Sequence, residues 1–250
     1  MATPILQDLK AKQLAINTRM RLGLQSTEYL DVYRALSSLG ITCIKRPLEG
    51  DMSGATLKSD NFSIILVNSA RTLGHQNFTI AHEIYHCLHD DNILNRACTT
   101  ESFKSTPLNE SIAERFAAHL LMPDDGVFHQ LELRCKLKVK LDVSDIIHLE
   151  QYFSVSRRAI CRRLLDLKLI SKTEPEAFCQ NVMQSARLLG KSLNLYKPTR
   201  ESTVFSDYAE KANEALNKGL ITDSRYEEIL FDAGLLENIV DGIEEQDFAD

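Results

Sequence analysis

No run of eighteen or more apolar residues occurs in this 250-residue sequence, which excludes a membrane-spanning helix of ordinary composition. The N-terminus, with Asp8, Lys10 and Lys12 in place, lacks the apolar core of a secretory signal. Cysteine is sparse and scattered: Cys43, Cys87, Cys98, Cys135, Cys161 and Cys179 include no C-x-x-C pair. In a chain of this length, that spacing argues against a disulfide framework or a cysteine zinc site and points to reduced thiols in the cytoplasm. Internal repeats and low-complexity tracts are also absent. What is there, 44% hydrophobic and 26% charged residues, is the make-up of an ordinary globular protein with room for one large domain or two small ones.

The net charge of −6 is unevenly distributed. Residues 201–250 carry 14 acidic and 3 basic side chains, a balance of −11, which leaves residues 1–200 at +5. Within those, 131–172 holds 10 Lys/Arg against 5 Asp/Glu. A basic stretch of this kind is either a solvated face or a nucleic-acid contact. The acidic tail is either a solvated helical appendage or a segment that lies against the basic region.

Hydrophobic periodicity and breaker residues predict helices over Ile5–Arg21 and Glu28–Ser38, broken at Leu22-Gly23-Leu24. Strands follow at Gly40–Ile44, at Ala55-Thr56-Leu57 and, most clearly, at Ser63–Asn68, with Gly50–Gly54 as a turn-rich link. Asp90–Thr106 reads as a loop. Thr106 and Pro107 are suited to open the next helix as N-cap and first residue, and Pro123 ends it. Asp145–Phe153 and Arg157–Leu169 form two helices about a Ser154-Val155-Ser156 turn. Glu174–Leu189 is predicted as one helix, Tyr196–Arg200 as a linker, and Tyr208–Leu216 and Ser224–Phe231 as two last helices. Glu244–Asp250 is expected to fray. The fold class is α+β and mostly helical, with a short β-sheet.

The chemistry concentrates in Phe78–His89, where His82-Glu83-Ile84-Tyr85-His86 spells His-Glu-x-x-His. On a helix, residues four apart lie about 40° apart around the axis, so His82 and His86 project from one face, one turn apart. Two imidazoles so placed can bind one zinc ion, with Glu83 beside it as a general base. Phe78, Ala81, Ile84, Tyr85 and Leu88 form an apolar stripe, and His82, His86 and His89 lie on the adjoining face. The strand just before this helix, if at the sheet edge, offers an extended substrate a backbone to pair with.

A catalytic zinc site needs a third protein ligand. A third histidine after a glycine, as in H-E-x-x-H-x-x-G-x-x-H, is not available: His89 stands three residues after His86 with no such glycine. The other common solution is a glutamate from a second helix. Glu110, 24 residues downstream, fits, although a first-turn carboxylate also has an ordinary role facing a helix dipole.

Together, His82-Glu83-Ile84-Tyr85-His86 and Glu110-x-x-Ala113-x-x-Phe116-Ala117-Ala118-x-Leu120-Leu121-Met122-Pro123 resemble the ImmA/IrrE family of gluzincin-like metallopeptidases. The likeness covers about residues 30–125 and extends to about 170, through a segment similar to the family's helix-turn-helix-like region. It implies a zincin-like protease core over 1–125, a helix-turn-helix-like domain over 126–195 and an acidic extension over 196–250. By the same likeness, His82, His86 and Glu110 are the Zn2+ ligands and Glu83 the catalytic base. The implied substrate is a helix-turn-helix repressor or similar regulatory protein encoded nearby, in a stress-response, mobile-element, phage-defence or toxin–antitoxin setting. Two positions depart from the family's pattern: Tyr85 stands where glycine is usual, and Glu114 where Asn or Asp is frequent. Glu114 and His89 are candidates to support the ligands from behind. His75, His119, His129 and nearby tyrosines are candidates to stabilise an oxyanion. The competing reading is a DNA-binding or antitoxin-like module that keeps zinc without cleaving, with Arg157, Arg158, Arg162 and Arg163 as its nucleic-acid or partner contacts.

Overall fold

A computed structural model of the protein describes residues 3–59, 62–90, 96–99, 108–137 and 140–232. The expected loop Asp90–Thr106 contains a four-residue strand at Arg96–Thr99, which pairs with the segment 52–56; its other residues after Asp90, the Thr106–Pro107 helix start and the frayed end at Glu244–Asp250 lie outside the described residues. The architecture is α+β and mostly helical, as expected. One five-stranded sheet carries the strands β1 (Thr42–Arg46), β2 (Met52–Lys58), β3 (Ser63–Asn68), β4 (Arg96–Thr99) and β5 (Thr203–Phe205), in the order β4-β2-β3-β1-β5. β1 and β3 run parallel, with Ile44 opposite Leu66. The other neighbours pair antiparallel.

β3 has the expected bounds, and its Ile65 and Val67 are fully buried. It is not an edge strand: β2 and β1 flank it, so its backbone groups are already paired and strand addition there is closed. β1 starts two residues later than expected because Gly40 adopts φ 67° and caps the preceding helix. β2 runs through Gly54, where a turn was expected. A Cβ at Gly54 would lie 2.5 Å from Thr79 Cγ2 and 2.9 Å from Leu66 O, so the glycine permits close approach of a helix to the sheet. The Asn68 side chain secures the bend before β2, donating to Leu48 O and Met52 O and accepting from the Leu48 and Ala70 amides.

Two helices precede the sheet, α1 (Pro4–Arg21) and α2 (Val32–Leu39). α2 begins four residues later than predicted, because Asp31 is its N-cap and accepts from the Tyr33 and Arg34 amides. The segment before it is held irregular by buried Arg19, whose guanidinium donates to Gln25 O and Glu28 O, and also to Leu120 O. After β3 come α3 (Leu73–His89), then β4, α4 (Leu108–Leu121) and α5 (Asp124–Leu133). α1 packs on α4 through fully buried Ala11 and Ala15.

α6 (Val143–Phe153) and α7 (Arg157–Asp166) surround the expected Ser154–Ser156 turn. A capping box of Asp142 and Asp145 opens α6, and Ser156 caps α7. α7 stops three residues short of the predicted end because Lys168 takes φ 59° and the Leu169 amide turns back to Leu164 O. The single helix predicted over 174–189 is two, α8 (Glu174–Phe178) and α9 (Val182–Leu188), separated by Asn181 at φ 48°. The turn between α6 and α7 abuts the start of α3: Asn77 Nδ2 donates to Ser154 O at 2.8 Å, and a Cβ on Gly74 would meet Ser156 N at 2.7 Å.

The predicted linker at 196–200 follows a 3-10 turn (Asn194–Tyr196) and binds the same end of α3. The Leu73 amide donates to Lys197 O, the Arg200 amide to Ser69 O, and Ser69 Oγ to Glu201 O. β5 then pairs with β1, where Lys45, only 2% exposed, forms an ion pair with Glu201. The last two helices among the described residues, α10 (Tyr208–Asn217) and α11 (Asp223–Asp232), lie within one residue of their predicted bounds. Among the described residues, no helix is long and apolar enough to cross a membrane.

Two measurements follow from this packing. Gly74→Ala pushes backbone against backbone and is expected to lower stability by about 1–3 kcal/mol in chemical denaturation, because neither side can yield as a side chain would. Asp124 is held well below the usual carboxylate range by hydrogen bonding to His119, then by Lys12 and the charge of Arg163. Its stabilising contribution is therefore complete well above about pH 3.9 and is lost as pH falls toward the depressed native value. Asp124→Asn is expected to lower stability at neutral pH and to flatten its fall between about pH 5 and pH 2, read from unfolding midpoints across that range.

Candidate metal centre

α3 is buried on nearly every side. Ile80, Ala81 and Ile84 belong to the core, yet Glu83 and His86 are also 0% exposed. A helix with polar groups on its buried flank requires partners from the elements packed around it.

His82 Nε2 and His86 Nε2 lie 3.2 Å apart. Glu110, in the first turn of α4, brings Oε2 to 3.2 Å from His82 Nε2 and Oε1 to 3.4 Å from His86 Nε2. The three side chains form the metal-ligating cluster found among the described residues, and their ligand atoms all fall within 4.8 Å of one another. Burial alone would push His82 down, but hydrogen bonding to Glu110 and the charges of Glu83 and Glu110 raise it. Burial would likewise raise Glu110, but its hydrogen bonds to His82 and His86 hold it well below the usual carboxylate range.

His86 faces a second carboxylate through its other nitrogen. Nδ1 is 3.3 Å from Oδ2 of buried Asp90, which also accepts from Asn109 Nδ2 at 3.2 Å. A proton on Nδ1, donated to Asp90, leaves the Nε2 lone pair directed at the cluster. Asp90 was not recognised from sequence, although its place four residues after His86, at the C-terminal cap of the same helix, was a usable signal. Glu83 Oε2 accepts from Thr56 Oγ1 at 2.6 Å, while Oε1 has no hydrogen-bond partner among the described residues. Nothing in the sequence links Thr56 to a helix 27 residues away.

The remaining candidates separate clearly. Tyr85 is a core residue, its ring centroid 5.6 Å from Phe116 and 5.7 Å from His89. His89 packs its ring on Tyr85 and Phe116 and is outside the cluster. Glu114 is half-buried, and burial raises its carboxyl against the opposing charges of His82 and Arg162. His75 meets Ser53 Oγ at 2.9 Å, and burial with the nearby Arg71 charge pushes it down. His119 is engaged through both nitrogens by Asp8 and Arg163, and His129 is exposed on α5.

Of the four arginines proposed as contacts, Arg157 and Arg163 are buried. Arg157 clasps Glu150 through Nε and Nη2, and Arg163 binds Asp124 and Met122 O. Both hold helices together; Arg158 and Arg162 remain on the surface.

Two histidines one turn apart, a glutamate from the next helix and a buried carboxylate between them describe a metal site of the kind used by metallopeptidases. The sequence matches the IrrE N-terminal-like domain, peptidase family M78, over residues 36–165, just over half of the chain, and the protein belongs to that family. No curated protein compared with it matches.

Removing the support behind His86 tests this reading of the cluster. Asp90→Ala is expected to weaken metal binding about 10–100-fold, measured by competition with a chromophoric chelator, with the fold retained by circular dichroism.

Proposed function

We propose that the protein is a zinc endopeptidase of the gluzincin type, with His82, His86 and Glu110 as ligands and Glu83 as base. The observation that carries this is the convergence of two imidazole nitrogens and a carboxylate at separations of 3.2–3.4 Å. Donors at the corners of a tetrahedron with zinc bonds of about 2.0–2.1 Å stand about 3.3 Å apart, so the set fits that ion, and three protein ligands leave a fourth position open. Zinc bound there supplies a Lewis acid that polarises a peptide carbonyl and acidifies a water molecule.

The chain's own groups do the rest. Asp90 keeps the proton of His86 on Nδ1. Glu83 Oε1, without a hydrogen-bond partner among the described residues, takes the proton of the attacking water and passes it to the leaving amine. Membership of the family supports a cytoplasmic regulatory protein as substrate, and a helix-turn-helix repressor encoded beside this chain is the substrate we propose. The DNA-binding reading is weaker, since two of its four arginines are committed to buried ion pairs.

The decisive experiment incubates the zinc-loaded protein with that neighbouring repressor and follows cleavage by mass spectrometry. Glu83→Gln is expected to retain one zinc per chain and lose at least about 100-fold in cleavage rate. Cleavage undiminished in that variant would refute the assignment of the base. A biological effect that survives it would favour a zinc-binding module that does not cleave.

A further inference from the structure

β2 meets α3 with two adjacent inward positions, and they treat the two oxygens of Glu83 differently. Thr56, 1% exposed, donates its hydroxyl to Oε2 at 2.6 Å. Two residues earlier, a Cβ on Gly54 would stand 3.4 Å from Oε1, so the strand passes close to that oxygen at a residue with no side-chain donor. Oε1 is buried and lacks a hydrogen-bond partner among the described residues. A carboxylate gripped by one oxygen cannot rotate freely about its terminal bond, and the lone pairs of the other oxygen stay available.

We propose that Thr56 is a positioning residue for the peptidase reaction. Its hydroxyl fixes the Glu83 carboxylate so that Oε1 is the oxygen that accepts a proton. This rests on the peptidase reading given above, but it makes a separate claim: the base is oriented from the sheet and not by its own helix. The hydroxyl has a single proton, so donation to Glu83 defines its orientation.

Acetohydroxamic acid is a suitable probe, since it chelates zinc and gives up its hydroxyl proton to an adjacent carboxylate. The full-length zinc-loaded protein is titrated with it calorimetrically, beside Thr56→Val, Thr56→Ser, Glu83→Gln and the Thr56→Val/Glu83→Gln double variant. Thr56→Val keeps the shape and removes the donor, and is expected to weaken hydroxamate binding about tenfold or more while zinc content stays at one per chain. Thr56→Ser is expected to restore affinity to within about threefold, since it keeps the hydroxyl. In the Glu83→Gln background, Thr56→Val is expected to have little further effect, because the two residues act as one unit. A general packing role predicts additive losses and no rescue by serine. Thr56→Ala takes the place of the valine variant should the latter fail to fold. Hydroxamate affinity unchanged by Thr56→Val, or additive losses in the double variant, would overturn this proposal and leave the peptidase reading standing. A wild-type protein that takes up no zinc would overturn both.

Discussion

A helix that carries His82, Glu83 and His86 into the interior must find a partner for each of them, and that constraint shapes the molecule around α3. Unpaired polar groups in a packed core cost more than the packing returns. Each flank therefore contributes one solution. α4 supplies Glu110, the end of α3 itself supplies Asp90, and β2 supplies Thr56 from the sheet. The start of the helix is fixed separately, by the α6–α7 turn against Gly74 and Asn77 and by the 197–201 segment on Ser69 and Leu73. The candidate metal site and the packing of the fold draw on the same contacts.

This explains which parts were legible in the sequence. β3 declares itself by an apolar β-branched run, and α10 and α11 by turn residues at both ends. The clustering of His82, His86 and Glu110 was legible because a candidate metal site imposes spacing on a helix and a short list of residue types on its partners. Thr56 and Gly54 left no such trace, because the pairing of a strand with a helix depends on where the sheet places it. The same holds for Lys45, an exposed-looking residue in a five-residue strand that becomes buried only when β5 returns with Glu201. Local competition accounts for the misplaced helix ends: Asp31 outbids Glu28 as a start, and left-handed residues at Lys168 and Asn181 stop helices that apolar periodicity would continue.

The arginines of α7 show how composition misleads. Four of them in seven residues read as a basic surface, yet Arg157 and Arg163 point into the protein and serve as bolts between helices. Arg163 reaches α4 and α5 through Met122 O and Asp124, and Arg157 reaches α6 and the end of α8 through Glu150 and Phe178 O. Charge density along a sequence counts residues; the helical period decides which of them meet solvent.

The segment at 197–205 has a consequence for biosynthesis. One anchor of α3 at its N-terminal end comes from residues that leave the ribosome more than a hundred positions after it. Until then Lys45 sits in the sheet without its counter-charge, and the Leu73 amide lacks its acceptor at Lys197. Closing so long a loop is slow relative to forming the local helices. The nascent chain therefore carries His82, His86 and Glu110 before it has the segment that fixes the start of the helix bearing the two histidines.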